Sequence, residues 1–430
     1  MGNPRDVVIV DGVRTPFAKS ATKLKDVHAA ELGKVAMIEL IARTNLDVNE
    51  VDEVIVGNTG CPSDAVNISR VVALNSGVPQ SVSAFTVHRN CASAMESIAS
   101  GYDRIKAGSA DTVLVGGTES MSNMPLIFRK EYGDFLMKLQ RAKTMGAKIS
   151  LLGEFKLKFL SPRISIMEGL TDPFLGINMG QTAENVAKDF SISRKEQDEF
   201  ALQSHLRAAQ AKDKLAEEMT PLFLPPKYKD VVAEDFGPRA EQTIEALQKL
   251  RPFFDKKYGT ITAGNACPIT DGAAMMLLMS REKAESLGYK AEASIKSYAF
   301  AGCDPSRMGL GPVYATPKAL DKAGLEFKDM GLVELNEAFA AQVIGCGKAM
   351  DSEKYCQDNL GRSRIGELDY SKLNVNGGAI ALGHPVGTTG TRLVLTLMKE
   401  MKRRSDAQFG LATLCIGGGQ GGAMIIEKEA

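Results

Sequence analysis

Short runs of β-branched and apolar residues recur along the chain at Val7–Val10, Val54–Val56, Thr112–Val115, Met275–Met279, Leu332–Glu334, Leu411–Cys415 and Met424–Ile426. Amphipathic stretches separate them, the alternation of a mainly parallel sheet with helices on its faces. From Cys91 onward, Met95, Ile98, Ala99, Tyr102 and Ile105 recur at helical spacing, which predicts a helix that Gly108 stops. Ser193-Arg-Lys-Glu196 is a capping box and predicts a second helix carrying Phe200, Leu202 and Leu206.

Two regions share one plan. The first runs from a strand through a polar turn to Cys91, a helix, the strand Thr112–Val115 and Gly116-Gly117. The second runs from Asn374-Val-Asn-Gly-Gly to His384, a predicted helix Thr391–Arg403, the strand Leu411–Cys415 and Gly417-Gly418-Gly419. A repeat on this scale is a duplicated βαβ unit rather than a solenoid. Residues 121–255 differ, being rich in Lys, Arg and Phe and poor in β runs, and read as a mostly helical insertion. The expected division is therefore 1–120 with 256–285 as one half, 121–255 as the insertion, and 286–430 as the other half.

Composition narrows the class without naming it. The 430 residues are 44% hydrophobic and carry 52 basic and 52 acidic side chains, so no net field argues for nucleic acid or for disorder. Seven cysteines without a C-x-x-C pair, and only four histidines, argue against a disulfide framework or a structural metal site. No apolar run approaches the ~18–20 residues of a membrane span, and the polar start lacks a secretory apolar core. A cytoplasmic setting is expected; in a eukaryote it would be mitochondrial, although no transit peptide is visible.

Four short motifs can carry chemistry. Cys91 opens the predicted helix, where unpaired N–H groups and the positive dipole end are expected to lower its pKa. His384 lies in Gly377-Gly378-Ala-Ile-Ala-Leu-Gly383-His384-Pro385-Val-Gly387, and suits a general base or an oxyanion donor. Pro385 fits the first turn of the helix that follows. Cys415 ends a strand and enters Ile416-Gly417-Gly418-Gly419-Gln420-Gly421-Gly422, glycines that expose backbone N–H groups and let a thiol sit at a pocket floor. Asn336-Glu-Ala-Phe-Ala340 offers an amide able to hold a water. Cys61, Cys303, Cys346 and Cys356 read as small buried hydrophobes.

Together these motifs resemble the thiolase family. The resemblance extends through Val10-Asp-Gly-Val-Arg-Thr-Pro-Phe17, Gly116-Gly117-Thr-Glu-Ser-Met-Ser-Asn-Met-Pro125, Met179-Gly-Gln-Thr-Ala-Glu-Asn185 and Gly259-Thr-Ile-Thr-Ala-Gly-Asn265. It implies a five-layer αβαβα sandwich of two duplicated halves, with a loop domain inserted in the first. It also implies CoA-dependent cleavage of 3-ketoacyl-CoA, or the reverse Claisen condensation, through a cysteine-bound acyl group. Coenzyme A would be a co-substrate, with no permanently bound cofactor and no metal.

Carried over by position, Cys91 would take the acyl group and His384 would activate it. Cys415 would exchange a proton with the acetyl carbon. Asn336 would fix a water that completes one oxyanion hole with His384, and the N–H groups of Cys91 and Gly417 would form the other. Met179, Cys267, Met308 and Phe339 are expected to contact substrate. The chemistry requires such a set: breaking C2–C3 expels a carbanion that must be stabilised and protonated while the other fragment stays bound as a thioester. One sulfur cannot be acyl carrier and acid at once.

The finer signals point in different directions. Arg129–Arg163, Ala94 and the 349–362 stretch look like the β subunit of the trifunctional fatty-acid oxidation complex. Asn336, in place of that subunit's usual His, and Cys415-Ile-Gly-Gly-Gly resemble acetoacetyl-CoA thiolases, whereas Asn178 departs from the His of short-chain members. Cys267 replaces a common Ser. The expectation is a medium- or long-chain 3-ketoacyl-CoA thiolase. The alternatives are a short-chain acetyl-CoA acetyltransferase working in condensation, or another condensing enzyme of this fold. Thiolases imply a homodimer or tetramer; a hydratase/dehydrogenase α subunit and a membrane surface are the other expected partners. Arg129–Arg163 carries nine basic and three acidic residues, with Leu151, Leu152, Phe155, Leu157, Phe159 and Leu160 among them, a composition suited to an amphipathic surface element.

Overall fold

The computed structural model describes residues 5–429. Its strands are β1 Val7–Arg14, β2 Ala18–Lys19, β3 Glu53–Gly57, β4 Ser83–Val87, β5 Thr112–Ser120, β6 Leu126–Ile127, β7 Arg163–Ile164, β8 Leu222–Phe223, β9 Val231–Val232, β10 Thr270–Ser280, β11 Ala293–Gly302, β12 Met330–Leu335, β13 Phe409–Ile416 and β14 Gln420–Lys428. All seven predicted runs lie in strands. Besides the two-residue strands, β4 and β11 carry no such run: β4 is a half-exposed edge, and the buried positions of β11 largely alternate with more exposed ones.

The strand order is β12-β13-β14-β11-β1-β10-β5-β3-β4, with β2 paired to β10. The mainly parallel sheet expected from the apolar runs is not found. Only β3–β4, β3–β5 and β12–β13 are parallel, while the central pairs from β5 through β10, β1, β11 and β14 to β13 are antiparallel. An apolar run encodes burial on both faces and carries no information about strand direction. Two residue pairs, Val8–Ser294 and Ile9–Ala293, join the halves at β1 and β11.

Five layers follow from which side chains meet. Val8, Val54, Leu114 and Met275 face the helices Ala29–Thr44 and Ile68–Asn75 on one outer surface. Their neighbours Val7, Val113, Val115 and Met276 face inward with Ala412, Leu414 and Met424 of the second half, around the central helices Ser93–Lys106 and Thr389–Arg403. On the far side, Val333, Leu411, Ala423 and Ile425 pack against the helices Gly311–Ala323 and Ala340–Asp351. The central helices cross closely at Gly390, where a Cβ would lie 2.3 Å from the Met95 backbone nitrogen. Only glycine permits that crossing.

Between Met121 and Asp255 the structure is mostly helical, with two short ribbons, β6–β7 and β8–β9. The Ser193 capping box forms: the Ser193 hydroxyl accepts from Glu196 N (3.2 Å) and the Glu196 carboxylate accepts from Ser193 N (2.7 Å). This region is tied to β1 by a buried charge cluster. The Arg14 guanidinium donates to Glu218 (2.7 Å) and bidentately to Asp235 (2.7 and 2.6 Å). Among the described residues, no helix is long and apolar enough to cross a membrane.

Candidate active site

Cys91 does not lie within the helix it was expected to open. The helix is Ser93–Lys106, capped at Ala92, and Cys91 sits in the preceding turn, where Asn90 takes a left-handed φ of +46°. Ser93 stabilises that turn by accepting from Arg89 N (2.9 Å) and donating to the Asn90 carbonyl (2.7 Å). The Asn90 side chain donates to the Gly417 carbonyl (2.8 Å), linking the Cys91 turn to the loop after β13. The expected depression of the Cys91 pKa is reversed. Burial pushes the thiol up, against the pull of the Gly417 and Cys91 N–H groups aimed at the sulfur.

His384 is buried on a loop ahead of the Thr389–Arg403 helix. Pro385 is therefore outside that helix, four residues before its start; its carbonyl receives Thr388 N (2.9 Å) and Thr389 N (3.1 Å). The His384 N–H donates to the Thr270 hydroxyl (2.6 Å), which fixes the backbone. Nδ1 is 2.6 Å from the Thr389 hydroxyl, and Nε2 has no protein partner. Burial, helped by the nearby Arg392 charge, depresses the imidazole pKa to about 3, so the ring is neutral. Arg392 is itself buried and pairs with Glu334 at 2.9 Å.

Cys415 is fully buried at the end of β13, opposite Gly421 of β14. The hairpin turns through Gly418 (φ +88°) and Gly419 (φ +77°), which turns the chain immediately after Gly417. Burial, reinforced by the nearby sulfurs led by Cys91, holds the Cys415 thiol well above its usual pKa. Asn336 follows β12, and its N–H donates to the Thr413 carbonyl (3.0 Å) beside the Cys415 strand end. Its carboxamide is buried, with neither the oxygen nor the nitrogen bonded to protein.

Cys91, His384, Cys415, Gly417, Met179, Cys267, Met308 and Phe339 all line one cavity of about 210 Å³. Asn336 is buried outside its lining. Cys267 is held by its N–H to the Ala338 carbonyl (3.1 Å), and burial raises its thiol to about 12. Cys346 and Cys356 are buried as expected, but Cys303 is half-buried and Cys61 is exposed. Cys61 sits in the loop after β3, its N–H given to the Asn58 side chain (2.8 Å). Among the described residues, no group of three or more His, Cys, Asp or Glu could hold a metal.

Several site residues were not singled out from sequence. Met121, Met124, Ile166 and Leu170 form an apolar wall on the insertion side of the cavity. Glu119, buried at the end of β5, accepts from Thr59 N (3.0 Å), Gly60 N (2.9 Å) and Gly387 N (2.8 Å), and so ties the loop after β3 to the His384 loop. Glu119, Met121 and Met124 all lie in the motif that begins at Gly116, so the signal was present but carried no role. Thr389 and Thr270 had none; they are ordinary hydroxyls until the fold brings them to His384.

Residues 7–282 match the thiolase N-terminal domain family and residues 289–428 the thiolase C-terminal domain family. The chain is 42% identical over 427 residues to a 3-ketoacyl-CoA thiolase of Shewanella pealeana, and 40% identical over 426 residues to one of Pseudoalteromonas translucida. Each alignment covers 98% of this chain and 97% of the relative. The fold is similar to the crystal structure of human mitochondrial 3-ketoacyl-CoA thiolase, with a TM-score of 0.86, 38% identity and full coverage of both chains. It is equally similar to Bacillus anthracis acetyl-CoA acetyltransferase, with a TM-score of 0.86, 37% identity and 99% coverage of each. With three cysteines, a neutral histidine and glycine-borne N–H groups around one cavity, and both family domains matched, the chain is a member of the thiolase family.

Proposed function

We propose that the chain cleaves 3-ketoacyl-CoA with CoA into acetyl-CoA and a shortened acyl-CoA, and runs the reverse condensation. The observation that carries this reading is the meeting of Cys91, His384 and Cys415 in one cavity, with the Gly417 N–H directed at the Cys91 sulfur. Cys91 and His384 are both neutral at rest, so the thiolate forms as sulfur attacks C3 and Nε2 takes its proton. The C2–C3 pair then passes to the acetyl-CoA enolate, and Cys415, whose high pKa keeps it protonated, supplies the proton. The CoA thiol next gives its proton to the Cys415 thiolate and displaces the acyl group from Cys91, whose sulfur regains its proton from Nε2. The N–H groups of Cys91 and Gly417 serve the acyl oxyanion, and His384 with a water on Asn336 serves the enolate.

Medium or long chains are the favoured substrates, because the insertion adds Met121, Met124, Ile166 and Leu170 to the cavity wall. In this reading 121–255 is a substrate-side unit set between halves 1–120 with 256–285 and 286–430. A homodimer is supported by β4, an edge strand with half-exposed side chains and an open hydrogen-bonding edge. Peripheral membrane contact has separate support. Phe135 and Phe159 turn inward into an aromatic cluster with Tyr132 and Phe155, yet Leu126, Met145, Ile149 and Leu157 stay exposed among the basic residues. CoA-dependent cleavage of a 3-ketoacyl-CoA series from ~4 to ~16 carbons tests the reading, with kcat/KM expected to rise beyond the shortest member. A maximum at the shortest substrate would favour an acetyl-CoA acetyltransferase instead.

A further inference from the structure

Among the described residues, the Thr389 hydroxyl is the only group within hydrogen-bond distance of the His384 ring, at 2.6 Å from Nδ1, and it also lies 3.0 Å from the Pro385 carbonyl. The two neutral tautomers differ in what this arrangement satisfies. With the proton on Nδ1, the ring donates to Thr389 and the hydroxyl donates to Pro385, making two hydrogen bonds. With the proton on Nε2, the hydroxyl must turn to Nδ1 and its bond to Pro385 is lost, while Nε2 has no protein partner in either tautomer. We propose that Thr389 is a positioning residue that holds His384 as the Nδ1–H tautomer, so that Nε2 presents a lone pair to the Cys91 thiol. Thr389 begins the central helix, and Gly390 beside it locks that helix against Met95, so the hydroxyl is held by the core rather than by a loop. Once Nε2 has taken the sulfur's proton, the Nδ1–H bond to Thr389 persists and becomes charge-assisted.

This inference rests on His384 acting as the base for Cys91. It is tested on the full chain by single-turnover acylation with acetyl-CoA, in which the Cys91 S–H bond is replaced by an S–acetyl bond and the proton leaves on the CoA thiol. Thr389→Val should slow acylation about tenfold, the worth of one hydrogen bond at the transition state, with acetyl-CoA saturation unchanged. Thr389→Ser should restore it. In protein labelled with ¹⁵N-histidine, long-range ¹H–¹⁵N correlation should show His384 neutral and protonated on Nδ1 in the wild type. Only four histidines are present, and the His384→Ala spectrum identifies the signal. An Nε2–H tautomer in the wild type overturns the proposal, whatever the stability of the variants. So does unchanged acylation in Thr389→Val, or failure of a folded Thr389→Ser to rescue. Undiminished acylation in His384→Ala would overturn the base assignment itself, a result that Thr389→Val alone cannot produce.

Discussion

Replacing Cys415 by alanine separates the two sulfurs most cleanly. The side chain is fully buried and makes no hydrogen bond needed by the hairpin, whose register is set by backbone pairing of β13 with β14. Deleting one sulfur should therefore cost about 1 kcal/mol of stability, well within the margin of a folded enzyme. The effect on turnover should be much larger. A positioned acid or base contributes about 10²–10⁴-fold, so thiolysis of acetoacetyl-CoA and the reverse condensation should both fall by that factor. Acylation should survive, because Cys91, His384 and the Gly417 N–H remain. The assay pairs the ultraviolet loss of acetoacetyl-CoA, which reads turnover, with intact mass after brief exposure to acetyl-CoA, which reads the adduct. One acetyl mass on a nearly inactive enzyme supports the division of labour. Near-normal turnover would refute it, and so would a folded variant without an adduct.

Four further outcomes are expected. Cys91→Ala should carry no acyl mass, and in the wild type the adduct should map to the Cys91 peptide; finding it on Cys415 or Cys267 would reverse the roles. Acid should destabilise the protein through its buried histidines: His384 is depressed to about 3 and His205 to about 4, so only the unfolded chain takes up their protons as pH falls below ~6.5. Each should cost roughly 3 kcal/mol by pH ~4, and His384→Gln should flatten the urea midpoint against pH over that window. Asp235→Ala leaves Arg14 buried with Glu218 alone and should lower unfolding stability by about 3–5 kcal/mol, read by urea titration. Vesicles of anionic lipid should sediment the protein at low salt and release it at high salt, since the nine-to-three basic excess of Arg129–Arg163 is worth roughly 1 kcal/mol per charge at a bilayer surface; equal binding to neutral vesicles would refute an electrostatic contact.

The sequence by itself located the principal strands, the duplicated plan and the cysteines and histidine that meet in the cavity. Each rests on a local signal: an apolar run, a repeat of motif order, or a sulfur or imidazole flanked by glycine. Periodicity also placed the helix behind Cys91 and missed only its exact start, whereas the capping box at Ser193 marked where the second helix begins, because a cap carries a local signal that the apolar stripe does not. Tertiary structure decided what local signals cannot contain. Strand direction was one such property, because β10 and β1 pair antiparallel across more than half the chain and nothing in either run marks its partner. The Cys91 pKa was another: the N–H groups of Gly417 and Cys91 favour a thiolate, but burial of the sulfur, which only the fold sets, outweighs them. Thr389 and Glu119 became part of the site only when the fold brought them to His384 and Gly387, since a hydroxyl or carboxylate acquires a role from what it touches.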